Sequence, residues 1–437
     1  MTPERRTMSE RPDVERILTM DQDVVDDPYP LAAVLRHECP VFREPHYNVL
    51  VVTRYDDLID VARRPQDFSS ILAAYGPSGA DRGPVPAELC AIAQRAGGPD
   101  PAPKGRVAEL LAEYQPDLQD QLQHVDPPLH TGHRRIVNRW FSPRAVTVLE
   151  DDIRATATLL IDRFAVGGRV EILDALAGPL SATVIADIIG IPDEHRSLFL
   201  DWKEEVFGNP DAEVSRATSP RYQRIREVFL TFIEDRRARP ADDMVSDLVA
   251  ARTAGGEGLD DQTVLGLLML FLGGGQETTG KALTSALRLL GERPGLQHEL
   301  RTAPDRLADF IEEVLRFEPP VRGIFRIATR DTRIGNIEVP EGSFVQLMWA
   351  SGNRDEPAFD HADRFDPGRF AGEQRPPVPR RAARPAADPC RPRRAAAALP
   401  HHQPGRGQHV PLRAEPHPAR PGQPLARPGT SLTARPR

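Results

Sequence analysis

The chain is poor in cysteine. Three in 437 residues, Cys39, Cys90 and Cys390, cannot build a disulfide framework, which predicts a reducing, cytoplasmic setting. Long apolar runs are missing too. The longest, Val264 to Leu272, is far shorter than the ~20 residues that cross a bilayer. The opening stretch, MTPERRTMSERPDVERI, holds no apolar segment of the kind a secretory signal needs. No glycine-rich dinucleotide fingerprint occurs, so flavin or nicotinamide chemistry would have to come from a separate protein. His124, His130 and His133 lie close in sequence, but no fourth ligand accompanies them, which argues against a metal site of their own.

The last segment lacks most. From Ala371 to Arg437 there is no Phe, Tyr, Trp, Ile, Met, Lys or Asn, against 15 Pro and 13 Arg with 3 acids. Its balance of +10 leaves −18 on the first 370 residues, although the whole chain carries −8. Such a stretch buries too little surface to offset its ordering entropy. The expectation is a folded unit at 1–370 and a disordered Pro/Arg/Ala-rich tail at 371–437. Three origins stay open for the tail: a shifted reading frame in a GC-rich gene, an Arg-rich binding arm, and a replaced C-terminus in a pseudoenzyme. Prolines between the arginines, and no aromatics to stack on bases, argue against nucleic acid as a partner.

What is present is mostly helical spacing. Helices are predicted at Tyr55–Arg64, Val107–Tyr114, Pro143–Phe164, Leu180–Ile189, Asp193–Phe207, Pro220–Arg237, Met244–Arg252 and from Asp260 to about Gly291, with two more ending at Phe317. Strand-type sequence sits at Val41–Thr53 and in GIFRIATRD, TRIGNIEVP and SFVQLMW. The fold class is mainly α with a minor β-sheet. The Gly- and Pro-rich Ser70–Gln123 is long for a connection and suits a binding loop or lid.

Three constellations carry chemistry. In LGLLMLFLGGGQETT an apolar helix meets Gly273, Gly274 and Gly275, each costing ~1 kcal/mol against Ala. Glu277 and Thr278 follow, an acid beside an alcohol. The expectation is a helix opened at the glycines to admit a ligand and move protons. In VDPPLHTGHRR, Asp126-Pro127-Pro128 starts a helix that sets His130 and Arg134 four apart on one face, where two cationic donors suit ligand carboxylates. In IEEVLRFEPP, Glu313 and Arg316 stand three apart, with Arg364 of HADRFDPGRF a candidate third partner.

In this order and at this spacing the pieces resemble a bacterial soluble cytochrome P450. The matching segments are VVTRYDDLIDVARRPQDFSS, VDPPLHTGHRR, GGGQETT, EEVLR, FRIATRD, GNRDEPAF and DRFDPGRF, over about residues 20 to 370. The resemblance implies a P450-like fold, haem b as cofactor, and a haem-thiolate monooxygenase that inserts one atom of O2 into a small apolar molecule. It implies a ferredoxin- or flavodoxin-type electron donor. By the same resemblance His130, Arg134 and Arg326 hold the haem propionates, Gly274 (often Ala in the family) and Gly275 make room for haem, and Glu277 with Thr278 delivers protons. Glu313, Arg316 and Arg364 form a structural triad. Ser70–Gln123 and the region from Asp201 to Pro220 form the substrate entrance.

The resemblance gives out after Phe370. The family has a Phe-Gly-x-Gly loop there with the ligating cysteine, then a long helix. This chain reads AGEQRPPVPRRAARPAADPCRPRRAAAALPHH. Cys390 lies 26 residues past Arg364, and Pro392 removes a backbone donor that a thiolate would use. Arg391 could still lower the thiol pKa. No iron ligand is therefore assigned, and the chain as written is expected to fold poorly and hold haem weakly.

Overall fold

In the computed structural model the described residues are 24, 26–44, 47–71, 87–100, 103–114, 122–164, 167–200, 220–253 and 256–371. The tail and the region from 201 to 219 lie outside them, as does much of the predicted lid.

The sheet forms first in sequence and closes last. Strands β1 (Val41–Glu44) and β2 (Val49–Val52) make a hairpin. β3 (Phe68–Ser69), β4 (Ile324–Ala328) and β7 (Phe344–Leu347) complete a sheet of order β1-β2-β7-β4-β3, in which only β2 and β7 run parallel. β5 (Thr332–Ile334) and β6 (Ile337–Val339) pair separately. Side chains alternate across a strand, so β2 serves two cores. Val49 and Val51 pack with α1 (Tyr29–Glu38), α3 (Ala87–Arg95) and α4 (Arg106–Tyr114) through Leu35, Ile92 and Leu110. Leu50 and Val52 pack on Leu58 of α2 (Tyr55–Ala62), Phe68 and Trp349.

The helical side is built on one long element. After α5 (Leu129–Val137), α6 (Pro143–Val148) and α7 (Glu150–Phe164), a π-helical turn at Leu173–Ala177 leads into α8 (Gly178–Ile189). α9 (Asp193–Leu200), α10 (Pro220–Ala238) and α11 (Met244–Ala250) follow. α12 spans Asp261–Glu292, and the Thr263 amide donates to the Asp260 carboxylate at 2.7 Å to cap it. Ile185, Phe199, Phe229, Val245, Leu265, Leu268 and Leu272 fill the core between these helices. Each such side chain contributes about 1.5–3 kcal/mol on burial. α13 (Pro294–Thr302) and α14 (Leu307–Phe317) fold back on the far end of α12 through Leu289, Phe310 and Val314. A short α15 (Trp349–Gly352) follows β7.

Two expectations need correction. α12 does not break at its glycines; it is helical from Asp261 to Glu292. The buried run from Val264 to Met269 fixes both the helix and its neighbours, and that packing outweighs the propensity cost of three glycines. The single helix read over 143–164 is two, joined at Leu149, because Glu150, Asp151 and Asp152 supply the negative first turn of a new one. Among the described residues no helix is long and apolar enough to cross a membrane.

Candidate active site

Along α12 the glycines have separate jobs. A Cβ on Gly275 would meet Ile185 Cγ1 at 2.7 Å, so this residue lets α8 and α12 touch. A Cβ on Gly274 would meet nothing within 4 Å. That side of the helix faces open space, the room a flat ligand needs. One turn on, the Thr278 hydroxyl donates to the Gly274 carbonyl at 2.9 Å. Glu277 accepts from Lys281 Nζ at 2.6 Å across one turn, with both side chains partly in solvent. Gln276 turns inward, donating to the Phe199 carbonyl at 3.3 Å. The acid and alcohol therefore stand beside Gly274 on a rigid, anchored helix.

A cationic corner forms from other elements. The turn Leu122–His124 packs on α12 and leads into α5, which carries His130 and Arg134. Arg326 projects from β4, opposite Val345 of β7. These groups lie within electrostatic reach of one another: Arg134 and Arg326 both oppose protonation of His130, after burial, which lowers its pKa most. Arg326 retains some solvent contact, yet enough protein surrounds it that desolvation lowers its own pKa, with Asp126 acting the other way. Asp126 is occupied elsewhere. It accepts from the Ser69 hydroxyl, and from the Ser70 amide at 2.8 Å. Among the described residues no hydrogen bond or ion pair engages the Arg326 guanidinium. His124 is deeply buried, close to the Ile71 carbonyl through Nδ1 at 3.2 Å, and burial brings its pKa down to about 4.

The triad differs from expectation in one member. Glu313 and Arg316, both fully buried, form a two-pronged pair at 2.7 and 2.8 Å. Arg316 also donates to the carbonyls of Asn353 (2.6 Å), Ala362 (2.8 Å) and Arg364 (3.2 Å). The third side chain is Arg369, whose Nε stands 3.5 Å from Glu313. Arg364 contributes its carbonyl and leaves its side chain exposed. The Pro367–Phe370 turn, capped by Asp366, swings Arg369 back toward α14.

The residues present fit one half of a haem site. Arg326, with no hydrogen bond or ion pair among the described residues, and His130, within electrostatic reach of both Arg326 and Arg134, suit a dicarboxylate, and Gly274 leaves space for a flat ring. The sulfur half is not matched among the described side chains. Cys39 donates toward the Val41 carbonyl at 3.4 Å on the sheet side, and burial raises its pKa. Cys90 lies in α3, its side chain outside the described ones, and Cys390 lies outside the described residues. A separate cleft of about 770 Å³, lined by Tyr29, Ser285, Arg288, Glu318, Arg322 and Arg354, is too charged for an apolar substrate. There the Arg354 guanidinium stacks on Phe317 and Tyr29, and burial, reinforced by Glu318, pushes Tyr29 up to about 12.

Sequence reasoning singled out Glu277, Thr278, His130, Arg134, Arg326, Gly274 and Gly275 for the site, used Asp126 only as a helix start, and passed over Lys281 and Arg369. Lys281 could have been found from its i+4 spacing to Glu277.

The sequence profile of the family described as Cytochrome P450 matches residues 198–385. The chain is 31% identical to linalool 8-monooxygenase of Pseudomonas putida, over 82% of this chain and 83% of that one. It is 30% identical to cytochrome P450 130 of Mycobacterium tuberculosis, over 76% of each. Its fold superposes on Mycobacterium marinum cytochrome P450 CYP150A6 in the substrate-free form with a TM-score of 0.66 at 27% identity, covering 83% of this chain and 86% of that one.

Proposed function

The chain belongs to the cytochrome P450 family, and from that premise we propose how its own residues divide the work. Membership makes it a haem-thiolate monooxygenase, an enzyme that uses a haem cofactor, O2 and a substrate. When bound, a haem iron under a thiolate supplies the oxygen-activating chemistry.

The finer reading is haem b as the cofactor and a small apolar organic molecule as substrate. A ferredoxin- or flavodoxin-type protein supplies electrons, which fits a chain with no dinucleotide fingerprint, and the setting is cytoplasmic. Residues 1–370 form the catalytic unit and 371–437 a separate tail. His130, Arg134 and Arg326 hold the cofactor carboxylates. Gly275 sets the depth of α12 against α8, and Gly274 leaves the ring its room. Thr278 exchanges its bond to the Gly274 carbonyl for one into the open space beside Gly274, and its Oγ1 passes on a proton that Glu277 takes up from solvent and relays. The Glu277–Lys281 tether is an exposed i,i+4 pair worth about 0.3–0.5 kcal/mol, weak enough to open in each cycle.

The observation that carries this reading is Thr278 and Glu277 standing one turn past the glycine whose open side faces empty space. The test is turnover of a substrate identified by screening apolar compounds with a surrogate electron donor. Thr278→Ala is expected to keep consuming O2 while product gives way to hydrogen peroxide. Glu277→Gln is expected to slow product formation about 100-fold, the scale of a lost general acid. Unchanged product yield in both variants would remove them from the mechanism.

A further inference from the structure

Resting on that reading of the cationic corner, we infer that this chain captures its porphyrin through the porphyrin carboxylates and gains little affinity from the metal. Two independent observations meet here. The first is Arg326. It is a half-buried guanidinium on β4, with no hydrogen bond or ion pair among the described residues, near an Asp126 already held by Ser69 and Ser70. A half-buried cation that makes no hydrogen bond has donors short of partners, and a carboxylate arriving at it forms a charge-assisted pair. His130 and Arg134 stand within electrostatic range to receive a second carboxylate. Neither interaction depends on what occupies the centre of the ring.

The second observation concerns sulfur. Cys39 is committed to the Val41 carbonyl on the sheet side. Past Phe370 the sequence offers only Cys390, set between Pro389 and Arg391-Pro392, with no glycine-rich loop before it. A thiolate is held as a metal ligand by amide donors turned toward it, and this segment is poor in them. The strong half of the site is the half that recognises anions.

The experiment uses the full chain. Ferric haem, zinc protoporphyrin and metal-free protoporphyrin IX are titrated, with porphyrin absorbance and tryptophan quenching as readouts. The metal-free dimethyl ester of protoporphyrin IX is the fourth probe. The three free acids are expected to bind with dissociation constants within about threefold of one another. The ester is expected to bind about 10- to 100-fold more weakly, as is each free acid to Arg326→Gln. The ester arm needs no variant, so misfolding of Arg326→Gln leaves the test intact. Haem binding more than 30-fold tighter than the metal-free acid, with a thiolate-type Soret band in the reduced CO complex, would overturn the inference alone. Equal binding of ester and acid, or no porphyrin binding, would overturn it together with the assignment of the corner.

Discussion

Arg316 illustrates how far a single residue can be read. Its spacing from Glu313 pointed to a pair, and both side chains are buried without solvent contact. Removing one member strands the other, so Arg316→Ala is expected to cost about 3–5 kcal/mol in urea denaturation. The third partner was not legible. DRFDPGRF holds two arginines five apart, and only the capped turn at Pro367–Phe370 decides which one returns to Glu313. Arg369→Ala is therefore expected to destabilise clearly, whereas Arg364→Ala stays within about 0.5 kcal/mol; the reverse order would restore Arg364 to the triad. His124 gives a pH prediction. Burial holds its folded pKa near 4 against an ordinary 6.5, so the unfolded chain binds the extra proton. Stability is complete above about pH 6.5 and falls as pH drops toward 4, by about 3 kcal/mol from this residue. Denaturation midpoints across that window should show a shallower acid limb in His124→Gln. An unchanged limb would mean His124 does not set it.

At the scale of elements, the sequence disclosed type well and continuity less well. The apolar runs within Val41–Thr53 and Phe344–Leu347 became strands because both faces of β2 and β7 had a core waiting. Two helices, Tyr29–Glu38 and Ala87–Arg95, were hidden by neighbouring prolines and glycines. The glycine run in α12 misled, because propensity alone does not reveal the Ile185 contact. That contact gives a paired prediction. Gly275→Ala forces its methyl against Ile185 and is expected to cost about 1–3 kcal/mol. Gly274→Ala meets nothing and is expected to be neutral or to stabilise by up to about 1 kcal/mol. Thermal unfolding of both variants decides it, and equal effects would contradict the distinction drawn between the two glycines.

Across the whole molecule, several apolar side chains are left open: Val148 at 75% exposure, Leu159 at 55%, Leu307 at 48% and Ile311 at 47%. Leu307 and Ile311 lie one turn apart on α14, opposite the face that buries Glu313. If this face meets only water, Leu307→Gln with Ile311→Lys should leave stability within about 0.5 kcal/mol. A loss above 2 kcal/mol would show that a segment outside the described residues covers it. The family fold was legible from motif order, since each weak signal fell where the others required it. The sulfur side was not, because the sequence after Phe370 carries no pattern that periodicity can read. The central claim is that α12 and the Arg326 corner grip one porphyrin between them. A crystal structure of the full chain grown with haem tests it most directly. The account predicts a porphyrin carboxylate about 3 Å from the Arg326 guanidinium and the ring edge over Gly274. Porphyrin bound elsewhere, or Arg326 paired with a protein carboxylate instead, would contradict it.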